Sequence, residues 1–177
     1  MNEYTARFKV LQRINDTDYS VACKRRSGVE DMLILRTNAN LIVGKNYETK
    51  NAEMLAENYF DKEKSKIRIK TFIKSYDLQE TSEPNNINIG TIDCYVCDVK
   101  QSRKTPFGKT ITEFKVAYNE SNGKSSYIHC IAFTRVKFKM GEKIRLFGKL
   151  QSRDYINSQG ENGRVNEFVV IHISNLD

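Results

Sequence analysis

Tyr127-Ile128-His129-Cys130-Ile131-Ala132-Phe133, a short basic connection, then Lys143-Ile144-Arg145-Leu146-Phe147-Gly148-Lys149-Leu150-Gln151-Ser152-Arg153-Asp154-Tyr155 is the stretch around which this chain is organised. Its second run alternates with period two. Ile144, Leu146, Gly148 and Leu150 fall on one side, while Lys143, Arg145, Phe147, Lys149, Gln151 and Arg153 fall on the other. A half-buried β-strand needs that pattern, because successive side chains point to opposite faces of a sheet. The outer side mixes cations with an aromatic ring. Such a face suits single-stranded nucleic acid, where cations track phosphates and rings stack on bases. It also fits an ordinary solvated strand with scattered lysines.

The first run obeys the same rule. Tyr127, His129, Ile131 and Phe133 share one face, with Ile128 and Cys130 on the other. Either Ile128 and Cys130 enter the core and the rings stay outside, or Ile131 and Phe133 are core and the pair points out.

Composition narrows the classes. The chain has 177 residues, 39% of them hydrophobic, and a mean hydropathy of −0.59. That suits one mid-sized domain or two small ones. No apolar run approaches the roughly 20 residues of a membrane span. Met1-Asn2-Glu3-Tyr4 lacks the charged and apolar regions of a secretory signal, so a cytoplasmic location is expected. Net charge is +7 and the pI about 9.2. Residues 1–83 hold 15 Lys/Arg against 13 Asp/Glu, and residues 84–177 hold 14 against 9. The excess lies in the second half and favours a polyanionic partner. There is no basic amphipathic helix, so no membrane partner is expected. Cys94 and Cys97 have zinc-like spacing without a second pair, so Cys23, Cys94, Cys97 and Cys130 read as reduced thiols in strands, with no metal and no cofactor.

Taken in order, residues 4–14, 19–26 and 32–35 read as three strands, with Asn15-Asp16-Thr17-Asp18 and Ser27-Gly28 as turns. Leu41-Ile42-Val43-Gly44-Lys45 turns into a fourth. Residues 51–60 fit either a short helix, with Ala52, Leu55, Ala56 and Tyr59 on one face, or a continuation of that strand. Residues 66–73 alternate strictly as a fifth. Residues 79–86, polar and holding Pro84, read as a linker between units 1–78 and 87–177. The cycle then restarts, with strands at 87–101, 111–118, 126–134, 143–155 and 164–173, and Thr105-Pro106-Phe107-Gly108-Lys109 as a turn. Two five-strand cycles, each with a glycine-led turn into its fourth strand, form a repeat of pattern. The expected fold is all-β, two tandem five-stranded Greek-key barrels of the oligonucleotide/oligosaccharide-binding type. A pair of other small β-barrels, such as SH3-like ones, is the alternative.

Residues 87–176 resemble a bacterial single-stranded DNA-binding protein and, more distantly, the primosomal replication protein built on the same barrel. The marks are Ile89-Gly90, the run Arg103-Lys104-Thr105-Pro106-Phe107-Gly108-Lys109, the aromatic-led strand from Tyr127, Gly148-Lys149-Leu150-Gln151-Ser152-Arg153-Asp154-Tyr155, and Glu167-Phe168-Val169-Val170. The resemblance implies that Tyr127, Phe133 and Tyr155 stack on bases and that Arg103, Lys109, Arg145, Lys149 and Arg153 line a basic groove. Lys104, Phe107, Lys115, His129, Arg135, Lys137, Phe147 and Arg164 complete the candidate nucleic-acid-binding set, with Phe107 equally readable as a packed turn residue. Lys24-Arg25-Arg26 reads as a solvated strand end. The family assembles four barrels, so a homodimer of a tandem chain is implied.

Three departures stand out. The chain has no tryptophan, residues 135–141 are too few for the family's usual helix, and the family's acidic, enzyme-recruiting tail is not expected after Ser174-Asn175-Leu176-Asp177. A specialised role, on a phage, plasmid or transposable element, is expected over a housekeeping one.

The leading functional expectation is sequence-independent binding of single-stranded DNA in replication or recombination, with RNA as a variant of the same reading. An accessory subunit of a primase, polymerase or helicase, with weak DNA binding of its own, is the alternative. An enzyme is not expected, because no phosphate loop, zinc-protease motif or hydrolase elbow is present.

Overall fold

Tyr4, Ala6, Phe8 and Val10 alternate with more exposed neighbours and form the inner side of strand β1 (Asn2–Arg13). The same logic runs through the molecule, a computed structural model that describes residues 1–176. The strands that follow are β2 (Asp18–Lys24), β3 (Glu30–Arg36), β4 (Asn46–Asp61), β5 (Lys66–Thr81), β6 (Ile87–Val99), β7 (Arg103–Lys104), β8 (Thr110–Asn119), β9 (Ser125–Ala132), β10 (Lys143–Ile156) and β11 (Asn162–Asn175). No helix among the described residues is long and apolar enough to cross a membrane.

Strand β1 pairs antiparallel with β2 and β4, β2 with β3, and β4 with β5, while β3 runs parallel to β5. Five strands thus return on themselves as a closed barrel. The same order of pairings recurs downstream. Strand β6 pairs with β8 and β10, β8 with β9, β10 with β11, and β9 runs parallel to β11. Leu33, Leu35, Met54 and Ile73 fill the interior in the first circuit, and Ile92, Ile128, Ile144, Leu146, Leu150 and Phe168 do so in the second.

The two circuits share a sheet. Strand β1 lies antiparallel to β6, from Asn2 opposite Ile92 to Arg7 opposite Ile87. Tyr4 sits opposite Gly90, and a Cβ at residue 90 would overlap the Tyr4 ring. Glycine is therefore required here by the close approach of a buried ring. The Tyr4 hydroxyl bonds the Asn88 side chain and accepts the Leu150 N–H at 2.8 Å.

A second joint forms where Arg25 clasps the buried Asp31 at 2.6 and 2.9 Å. Asp31 also accepts the Ser152 N–H at 3.0 Å, and the Ser152 hydroxyl accepts the Met32 N–H at 2.8 Å. The Lys24-Arg25-Arg26 triplet is thus no simple solvated end. A buried carboxylate needs a cation and N–H donors, and Arg25 and Ser152 supply them.

Residues 51–60 are strand throughout, which removes the helical alternative. Ala52, Met54 and Ala56 face the core at period two, whereas a helix would have grouped Ala52, Leu55, Ala56 and Tyr59. Strand β5 also runs three residues past the expected start of the linker, with Glu80 opposite Tyr47 and Thr81 opposite Asn46. The polarity of Gln79-Glu80-Thr81 reflects exposure there, not the end of pairing.

Hairpin β4–β5 outruns its partner β1 and pairs with itself to Asp61 opposite Lys66. This arm meets hairpin β10–β11. Lys64 Nζ donates to the Asn162 carbonyl at 3.2 Å, and Arg68 Nη2 donates to the Tyr155 hydroxyl at 2.6 Å.

Candidate nucleic-acid interface

Strand β9 resolves the choice of faces. Ile128 and Cys130 are buried, whereas Tyr127 is 45% and Phe133 56% exposed. Ile131, between the rings, is nearly covered at 8%. The rings therefore stand on the outer side, as the first of the two alternatives required. Next to them, Lys115 on β8 lies directly across from His129. Burial, reinforced by Lys115 and Lys100, lowers the His129 pKa, because each disfavours the imidazolium.

Beside this face stands the turn 105–109. Thr105 N donates to the Lys109 carbonyl at 2.7 Å, and Gly108 N to the Thr105 carbonyl at 2.9 Å. Gly108 has φ +80°, a conformation that favours glycine. The turn holds Phe107 out at 93% exposure, so its ring is not a packed turn residue. Lys109 Nζ lies 5.9 Å from the centre of the Phe133 ring, within cation–π range. The two-residue strand β7, pairing Arg103 with Ile111, supports the base of the turn and was not anticipated.

Strand β10 presents Arg145, Phe147, Lys149 and Arg153 outward, since Ile144, Leu146 and Leu150 are buried. These cations differ in how free they are. Arg145 is bound to Asp93 at 2.6 and 2.9 Å, and Arg153 to Glu167 at 2.9 and 3.4 Å. Arg164 meets Asp154 at 2.8 Å and Arg103 meets Glu113 at 3.5 Å. Among the described residues, Lys104, Lys109, Lys115, Arg135, Lys137 and Lys149 have no carboxylate within 4.0 Å. Uncompensated charge thus sits at Lys104 on β7, Lys115 on β8, Lys149 on β10, Lys109 in the 105–109 turn, and Arg135 and Lys137 after Phe133.

Tyr155 is set apart from the other rings. It lies against Gly163, where any Cβ would overlap the ring, and its hydroxyl is taken by Arg68. Phe147, opposite His172 and Thr91, is half-buried. The structure therefore sets Lys115 across from His129 and Lys109 beside the Phe133 ring, while Tyr127 lies toward the other end of β9, bordered by Ala56, Asn58 and Ile69 of the β4–β5 hairpin. Tyr155, Arg145 and Arg164 are engaged by Arg68, Asp93 and Asp154.

Sequence reasoning passed over further exposed rings. Tyr95 stands on β6 with Lys143 Nζ 6.0 Å from its centre, and Tyr76 on β5 with Lys74 Nζ 5.1 Å away. The alternation Ile92, Cys94, Val96 inward was the available signal for Tyr95. Cys94 is buried and Cys97 part-exposed, and burial pushes the Cys94 thiol up to about 12.

The five strands of each circuit form an all-β barrel arrangement with exposed rings and cations on its outer side. Solved structures agree on that fold. The wild-type single-stranded DNA-binding protein of Thermus aquaticus superposes with a TM-score of 0.71 at 12% identity, over 100% of this chain and 93% of that one. A deletion mutant of the same protein gives 0.70 at 12% identity, over 99% and 94%. The Plasmodium falciparum protein in complex with single-stranded DNA covers 54% of this chain and 99% of its own, at 16% identity and a TM-score of 0.44. No protein-family model and no curated protein matches the chain.

Proposed function

We propose that this protein binds single-stranded DNA, non-catalytically and largely without regard to sequence, in replication or recombination of a mobile element. In this reading residues 1–78 and 87–177 are two oligonucleotide-binding barrels in tandem, joined through 79–86. The observation that carries it is an exposed ring beside a cation without an acid partner, Lys109 Nζ lying 5.9 Å from the centre of Phe133, with Phe107 held out by the same turn and Tyr127 exposed on the outer side of β9. Solvent-exposed rings of this size offer stacking surface, and every base has a face to stack. RNA is a second strand chemistry the same surface accepts. A homodimer is the proposed assembly, implied by the family resemblance, and light scattering at twice the 20.5 kDa chain mass checks it.

The ring assignment is tested by replacing Tyr127, Phe133 and Tyr155 with alanine, singly and together. Loss of a stacked base costs roughly 1–3 kcal/mol, so Tyr127→Ala and Phe133→Ala each weaken oligo-dT binding about 5- to 150-fold. Tyr155→Ala has the smallest effect, because its ring is already engaged. A triple variant that binds like wild type removes the assignment.

The exposed apolar side chains of the β4–β5 and β10–β11 arms favour a second reading. Phe60, Ile67 and Ile156 are 60%, 71% and 72% exposed, a surface suited to protein contact. Under this reading the chain is an accessory subunit of a replication enzyme, and oligo-dT binding stays weak until that partner is added.

A further inference from the structure

Between residues 99–102, after β6, and residues 135–138, after β9, lies a cavity of about 640 Å³ that none of the preceding argument uses. That volume is in the range of small-molecule sites. Its polar lining is Lys100, Gln101, Ser102, Arg135 and Lys137, with no carboxylate among the lining residues. Lys100 is partly answered by Glu113 at 3.7 Å, whereas Arg135 and Lys137 have no acid within 4.0 Å among the described residues. Val99, Val136 and Phe138 supply an apolar side, and Phe138 is fixed there by Phe114, 5.0 Å away between ring centres.

The two walls are held by one side chain. Thr112, fully buried on β8, donates its hydroxyl to the Thr134 carbonyl at 2.7 Å and accepts the Val136 N–H at 3.2 Å. With its donor committed to Thr134, it accepts from the Ser102 hydroxyl, 2.7 Å away. One oxygen thus ties both walls. Beyond Phe138 the segment is pinned again, Gly141 N donating to the Val96 carbonyl and Val96 N to that of Glu142. An open groove whose backbone walls are fixed before binding loses little freedom when it is filled.

Cations on one side and a fixed aromatic surface on the other match a nucleoside phosphate. Two residues before Arg135 stands the exposed ring of Phe133, next along the chain to the groove's second wall. We infer that this cavity holds one nucleotide, its phosphate on Arg135 and Lys137 and its base against Val136 and Phe138. The inference rests on the proposed single-strand binding, and takes the strand off the sheet face at this point.

The test uses the full chain with thymidine monophosphate and oligo-dT as separate probes, read by amide shifts of Ser102 and Val136 and by anisotropy. Thymidine monophosphate should shift both amides saturably, and oligo-dT should displace it. Arg135→Ala with Lys137→Ala should abolish the shifts and make the salt slope of oligo-dT binding shallower by about 1. Monophosphate binding that oligo-dT does not displace supports the nucleotide site with the free nucleotide as its source. Oligo-dT binding that is intact in the double variant, with no shifts from the monophosphate, overturns the inference and leaves the strand-binding proposal standing. No oligo-dT binding in wild type, with no shifts, overturns both.

Discussion

His129 shows how much one residue's surroundings matter on this face. Burial and the cations Lys115 and Lys100 hold its pKa below the ordinary value, so it is neutral at pH 7. A basic group with a depressed folded-state pKa binds more protons unfolded than folded. Its penalty is absent above the ordinary value near 6.5 and grows as pH falls through that value toward the folded one. A bound polyanion reverses the preference by stabilising the imidazolium. Oligo-dT affinity should therefore rise as pH falls below the ordinary value near 6.5, and His129→Ala should flatten that rise in an anisotropy titration. A wild-type profile as flat as the variant's would mean that no phosphate passes His129. The other residue-scale lesson concerns charge. Alternation identified the outward cations of β10, but not that Asp93, 52 residues from Arg145, neutralises one of them. Period two reports which side a residue faces, and says nothing about which distant carboxylate meets it.

At the scale of elements, strands with one wet face were legible and those without were not. Strand β10 buries Ile144, Leu146 and Leu150 and exposes the residues between, so its pattern is plain. The outer arm of β4–β5 has no such contrast. Asn58, Tyr59 and Phe60 are all exposed, because the arm stands beyond the barrel and its pairing is internal to the hairpin. With no core behind it, the β4 half of the arm carries no hydrophobic alternation for a reader to find, and the alternation of Ile67 and Ile69 on β5 does not report burial, since both are exposed. The contact of β1 with β6 was equally hidden, since Tyr4 and Gly90 are far apart in the chain and their fit depends on a missing side chain. Gly90→Ala should force the Tyr4 ring off its place and destabilise the protein by about 1–3 kcal/mol, the usual cost of overpacking. Thermal melts check this. A melting temperature equal to wild type would mean the joint is looser than the packing of Tyr4 implies.

For the molecule as a whole, the repeat of pattern was readable because each cycle needs the same run of short strands and glycine-led turns. The sharing of a sheet between the two circuits was not, because β1 and β6 are far apart in the chain and their pairing leaves no periodic mark in either. The joints fix how the circuits face each other. Asp31 with Arg25 and Ser152 ties β3 to β10, and the Ala56 N–H donated to the Ser126 hydroxyl at 2.9 Å ties β4 to β9. These joints and the β1–β6 pairing hold the two circuits in one sheet, the frame the proposal gives to a bound strand. In the proposed reading the net charge of +7 would supply long-range attraction to such a strand, and Phe133 with its neighbouring exposed rings the preference for unpaired bases. The most direct test is anisotropy of labelled oligo-dT against a duplex and a matched RNA across a salt series. The expected result is binding to oligo-dT well above duplex, its logarithm falling linearly with log salt by about 0.7 for each phosphate held. Equal binding to duplex, or none to oligo-dT even at low salt, would contradict the account.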